Sequence, residues 1–124
     1  MDIVVIVLQS LLALMFLMAG FSKLAGVKMH ADNFAKWGLP QWFRIVAGLV
    51  EVIGAAALIV GYWEPSWSAV GGLIIGVTGI GGVLTHVRAK DSFKETMPIL
   101  LLGLFGFIVF FVRLSDLSDF PGFN

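Results

Sequence analysis

The sequence predicts an all-α membrane protein: a bundle of four transmembrane helices with a short interfacial helix between helices one and two. Three observations carry that prediction. Of the 124 residues, 59% are hydrophobic and only 13% charged, where an ordinary soluble domain has about 25% charged residues. Four apolar runs, at 3–21, 45–63, 67–85 and 97–112, come to or close to the length of about 17–25 residues that a helix needs to cross a bilayer core. None of the four carries the polar stripe that a helix of a soluble core would turn to water.

The elements follow in order. Helix one, at about 3–23, opens after Met1 and Asp2 and meets its first basic residue only at Lys23. It lacks the basic start and small-residue cleavage site of a secretory signal and is expected to stay in the chain. In the connection HADNFAKWGLP, Asp32 is placed to cap a short helix, His30, Phe34 and Trp37 share one face, and Gly38 with Pro40 ends it. This predicts an interfacial helix at about 30–37, its aromatics resting at headgroup level rather than on a cofactor. Helix two is expected at about 44–63 and helix three at about 67–87, joined by the turn Glu64-Pro65-Ser66. Helix four, at about 96–114, reaches the length of a span only when Thr96 and Leu114 are included. The whole, 1–124, reads as a single domain.

Charge sets the orientation. Lys23, Lys28, Lys36 and Arg44 flank the first long connection, Arg88, Lys90 and Lys94 lie in the other, and Arg113 lies on the opposite side. By the positive-inside rule both long connections are cytoplasmic, and both termini face outward. Trp37 and Trp42 at one level, and Tyr62, Trp63 and Trp67 at the other, fit interfacial belts.

Glu51 stands alone among apolar residues and glycines in VAGLVEVIGAAALIVGYW. At 1.5 Å of rise per residue it lies about 10 Å below the level of Arg44, where an unpartnered charge costs about 3 kcal/mol on insertion scales. At 100° per residue, Arg44, Ala47, Gly48, Glu51, Gly54, Ala55, Leu58 and Tyr62 form one stripe. Small residues mark the faces on which membrane helices pack, so Glu51 points into the bundle. Helix one repeats the pattern with Gln9, Ala13, Phe16, Gly20 and Lys23, and helix three with Gly72, Gly76, Gly79 and His86.

Lys23, Arg44, Glu51 and His86, with Arg88, are therefore expected to form a polar cluster on the cytoplasmic side. The outer half offers only Gln9 and Thr78 within the bundle. A conducting pore would want polar groups along its whole length, and this chain does not supply them. The plainer alternative is that Glu51 fixes helix register through an Arg or Lys while His86 caps a helix end. A cationic and imidazole rim beside a carboxylate suits a quinone, with donors holding its carbonyl oxygens and Glu51 or His86 moving protons. With no cysteine in the chain, iron–sulfur clusters and thiolate chemistry are excluded. No histidine pair at helical spacing suggests haem or a metal site, and TGIGG follows no strand that would make it a nucleotide loop. Membrane lipids are the expected partners, and nucleic acid is not one.

FLMAGFSKLAG, NFAKWGLPQW, VAGLVEVIGAAALIVGYW and LTHVRAKD, four motifs in order over nearly the whole chain, resemble the DoxX family and its DoxX-like branch. The resemblance implies a compact bundle of four transmembrane helices in a bacterial inner membrane. It also implies association with quinone-linked oxidoreductases or oxidative-stress assemblies. Lys23 matches the lysine of the family's G-x-x-K-L pattern and Glu51 its second-helix glutamate, whereas Gln9 stands where many relatives have arginine. The site residues expected on this reading are Lys23, Arg44, Glu51, His86, Arg88 and Gln9. Three readings stay open: a quinone-linked subunit of an oxidoreductase, not catalytic alone; a scaffold for other membrane proteins; and a carrier of a small hydrophobic compound. A homodimer through helix three is left open as well.

Overall fold

A computed structural model describes residues 3–119. The chain ends, on which the expectation of outward termini bears, lie outside the described residues. Helices α1 (Ile3–Ala25), α3 (Gln41–Val60), α4 (Pro65–Arg88) and α5 (Phe93–Val112) are each long and apolar enough to cross a membrane. The short helix α2 (Lys28–Lys36) lies between α1 and α3, and a 3₁₀ turn (Leu114–Asp119) follows α5. Among the described residues there is no strand. Large apolar side chains are left bare along all four long helices, with Phe21 at 55%, Ile53 at 57%, Val77 at 55% and Phe111 at 64% exposed. Apolar surface on that scale is what a chain solvated by lipid presents, so the protein is a multi-pass membrane protein in contact with lipid.

The helices pack through their small residues. α1 lies on α3, α3 on α4 and α4 on α5, with a lighter contact between α1 and α5. A methyl group at Gly20 would sit 2.8 Å from the Gly48 carbonyl oxygen, one at Gly71 2.9 Å from that of Gly54, and one at Gly72 2.6 Å from that of Gly106. Backbones this close leave no room for a side chain, and dispersion between them is a main source of helix association in lipid. The glycines of α4 are used against α5, where Gly76 faces the Phe107 ring and Gly79 faces Gly103. Leu12, Phe16, Leu58, Ile75 and Val109 fill the space between these contacts.

The helix ends explain the connections. α1 stops at Gly26, whose φ of +74° is one that glycine adopts without strain, and Val27 N closes the turn on Ser22 O at 3.1 Å. The chain then re-enters a helix at Lys28, so Asp32 falls inside α2 and does not cap it: the residue before α2 is Val27, with no side-chain cap. α2 ends in the same way, with Gly38 at φ +74° and Leu39 N bonded to Phe34 O at 2.9 Å. α5 begins earlier than its apolar run. Ser92 and Glu95 form a capping box, the Ser92 hydroxyl accepting from Glu95 N at 3.1 Å and Glu95 Oε1 accepting from Ser92 N at 3.4 Å.

Candidate functional site

The contact of Gly20 with Gly48 sets the site. One turn further along both helices, Lys23 and Glu51 are brought side by side, and Lys23 Nζ lies 2.8 Å from Glu51 Oε1 and 3.3 Å from Oε2. The pair is nearly dry, with side-chain exposures of 16% and 6%. Oε1 is buried and receives no hydrogen bond of good geometry, close as the ammonium is. A carboxylate oxygen left so in an apolar bundle has capacity for a donor from elsewhere.

Beside this pair a cavity of about 430 Å³ opens between α3 and α4, with α2 across it. Its size lies within the range of about 300–1,000 Å³ usual for small-molecule pockets. Lys23 and Glu51 form one wall, Thr78, Thr85 and His86 of α4 another, and His30, Asn33, Phe34 and Trp37 of α2 a third. A methyl group at Gly81 would meet nothing within 4 Å, so the absence of a side chain there leaves the cavity open. Phe34 is only 4% exposed, packed 5.4 Å from Trp37 and 6.4 Å from Phe43 between ring centroids. The shared face of His30, Phe34 and Trp37 therefore turns inward over the cavity. Burial, with the positive charges of Lys23 and Arg44 nearby, holds the His30 imidazole below its ordinary pKa.

Asp91, in the turn after α4, ties this wall together. Its Oδ1 accepts from Lys36 Nζ at 3.1 Å, and its Oδ2 from Trp37 Nε1 at 3.2 Å. His86 Nδ1 lies 2.8 Å from the same Oδ2. The hydrogen bonds from Lys36 and then His86 keep the Asp91 carboxyl below the usual aspartate range. An ionised carboxylate only accepts, so His86 carries a proton on Nδ1 and its other nitrogen, Nε2, is left to the cavity. The turn that delivers Asp91 is strained at Lys90, a non-glycine residue with φ +58°.

Of the six residues expected in the site, three meet at the cavity or its pair: Lys23, Glu51 and His86. Arg44 shares the stripe of Glu51 but turns away from it. Its guanidinium donates to Gln41 Oε1 at 2.8 Å and to the Lys23 carbonyl. That carbonyl is among the last of α1, where the helix leaves oxygens unpaired and favours a positive charge. Arg88 does the same for α2, donating to Trp37 O at 2.6 Å. Gln9 is in the other half of the bundle, where its Nε2 donates to Leu58 O at 2.7 Å and Ser68 Oγ at 3.0 Å. Sequence reasoning missed Asp91, Thr85 and Asn33. Only Asp91 left a signal, as the acidic residue beside the Ser92 capping box. Among the described residues no group of three or more His, Asp or Glu side chains could hold a metal ion.

Comparison with known proteins gives the following. The profile of the DoxX-like family matches residues 7–108. The chain is similar to the uncharacterized protein YdgD of Bacillus subtilis (strain 168), with 30% identity over 89 residues that cover 70% of this chain and 77% of that protein. No solved structure matches it.

Proposed function

The chain belongs to the DoxX-like family, and from that premise we propose that it is a small inner-membrane subunit of a quinone-linked redox or oxidative-stress complex whose cavity holds a quinone-like headgroup. The observation that carries the reading is a cavity of about 430 Å³ against a buried carboxylate oxygen that has no well-aligned donor beyond the adjacent Lys23 ammonium. Register alone does not require that arrangement. A pair that only fixes register would be closed off, since a half-satisfied polar group is costlier than an apolar one. The walls suit a flat ring, with Phe34, Trp37 and Phe43 providing apolar faces. Lys23 would donate to one of its oxygens, Glu51 and His86 would exchange protons with it, and Asp91 fixes the His86 ring.

A quinone supplies two-electron, two-proton exchange when bound. This chain's part is to desolvate the ring and orient it. Glu51 and His86 can take up or release a proton at Oε1 and Nε2. Electrons come from a partner. The cavity belongs to the cytoplasmic half if seven of the eight basic residues mark that side. A C-terminal reporter should then work only if its fold requires the periplasm.

Extraction of the purified protein should yield a co-purifying quinone. Either redox form of a short-chain benzoquinone should raise the melting temperature with the logarithm of its concentration, since the ligand binds only the folded state. Gly81→Leu, which adds bulk at a cavity-lining position where a Cβ meets no protein atom within 4 Å, should keep the fold and abolish the shift. An extract free of quinone, together with no shift from either redox form, would leave the scaffold reading in its place.

A further inference from the structure

Resting on that reading, we propose that the cavity selects the hydroxyl-bearing form of a lipophilic aromatic ring, a hydroquinone or phenol, over the corresponding quinone.

The argument is a hydrogen-bond inventory. Thr78 Oγ1 donates its proton to Ile74 O at 2.8 Å, and Thr85 Oγ1 donates to Gly81 O at 2.8 Å. Each hydroxyl therefore presents only lone pairs to the cavity. Glu51 Oε1 is buried and receives no hydrogen bond of good geometry. His86 donates a hydrogen bond from Nδ1 to Asp91 across 2.8 Å, which leaves a lone pair at Nε2 whenever the ring is neutral. Four acceptors thus face one space. Lys23 is the firm donor on the same wall, and its ammonium is held 2.8 Å from Glu51. His30 and Asn33 can each play either part.

A quinone oxygen only accepts. Set among these groups, it can take a proton from Lys23, but it leaves the other lone pairs facing one another without solvent. A hydroxyl on the same ring resolves both needs, since its oxygen accepts from Lys23 while its hydrogen goes to Glu51, His86 or a threonine. Sites built to bond a hydroxyl discriminate steeply against analogues without it, because the site's own buried groups are then left unpaired. The selectivity follows from four positions together.

Calorimetric titration of the purified protein in detergent tests this. It is run anaerobically. The probes are a decyl-substituted benzohydroquinone, the matching benzoquinone and the dimethyl ether of the hydroquinone. The hydroquinone should bind about tenfold more tightly than either other probe. Thr85→Val, which keeps the shape of the side chain and removes its acceptor, should weaken hydroquinone binding about threefold and leave the quinone unchanged. His86→Phe should do the same more strongly, with melts confirming that both variants fold. Quinone binding as tight as hydroquinone, or variants that weaken both equally, would overturn the selectivity while leaving the quinone-site reading intact. If no probe binds, both fall together.

Discussion

Gln9 and Glu51 are both polar side chains sunk in an apolar bundle, and the two halves of the molecule treat them differently. Gln9 is 2% exposed and its amide donates to Leu58 O and Ser68 Oγ, tying α1 to α3 and α4 where Gly54 and Gly71 hold those helices in contact. Glu51 is 5% exposed, yet one of its oxygens lacks a well-placed donor and a cavity lies beside it. Burial alone therefore does not separate a structural polar group from a site. The separation comes from whether the protein itself completes the group's hydrogen bonds and whether space is kept next to it.

The strongest test of the contrast is to break the charge pair. Lys23→Leu leaves a buried carboxylate without its cation and should destabilise the protein by about 3–5 kcal/mol, read as a loss of unfolding free energy in detergent. Adding Glu51→Leu should restore most of that loss, because two apolar groups replace the pair. Arg44→Leu should cost far less, since its guanidinium serves the end of α1 and not the glutamate. A loss from Arg44→Leu equal to that from Lys23→Leu would mean that the pairing is wrong.

The second test compares two glycines of α4. Gly71→Ala would press a methyl group within 2.9 Å of Gly54 O and Leu58 N, both backbone atoms, and should cost about 1–3 kcal/mol as the helices are forced apart. Gly81→Ala meets nothing within 4 Å and should be neutral or stabilising by up to about 1 kcal/mol through helix propensity. Equal melting temperatures for the two variants would show the cavity half to be as tightly packed as the other.

Much of this was legible in the sequence, for reasons that also set the limit. Apolar runs of membrane-spanning length fix the helices, and the 100° stripe shared by Gly48 and Glu51 on one helix and Gly20 and Lys23 on the other puts two charges at one level. The stripe fixes where a side chain starts, not where a long one ends. Arg44 and Arg88 accordingly reach carbonyls at helix ends that no periodicity reveals. The inward turn of Phe34 and Trp37 depends on Asp91, and that depends on a left-handed Lys90 where a glycine would have announced the turn. The Ser92-x-x-Glu95 box was a readable start signal for α5, and an apolar run passes over it.

The smallest expected effect is a pH dependence confined to the cavity half. His30 is held below 6.5 in the folded protein, so between that lowered value and 6.5 the unfolded chain binds more protons and stability falls as the pH drops. The loss begins just below pH 6.5 and levels off once folded His30 is itself protonated beside Lys23 and Arg44. Asp91 is held below 3.8, so its contribution is complete above 3.8 and is lost as the pH falls through its lower folded value. Melting temperature followed from pH 8 to pH 3 should therefore decline in two separate steps. His30→Gln should remove the first step and Asp91→Asn the second, while Gln9→Leu, which carries no titrating group, should lower the whole curve without changing its shape. A curve whose shape responds to Gln9→Leu, or whose upper step survives His30→Gln, would move the titrating groups away from α2 and remove the reason for placing the working half of the molecule there.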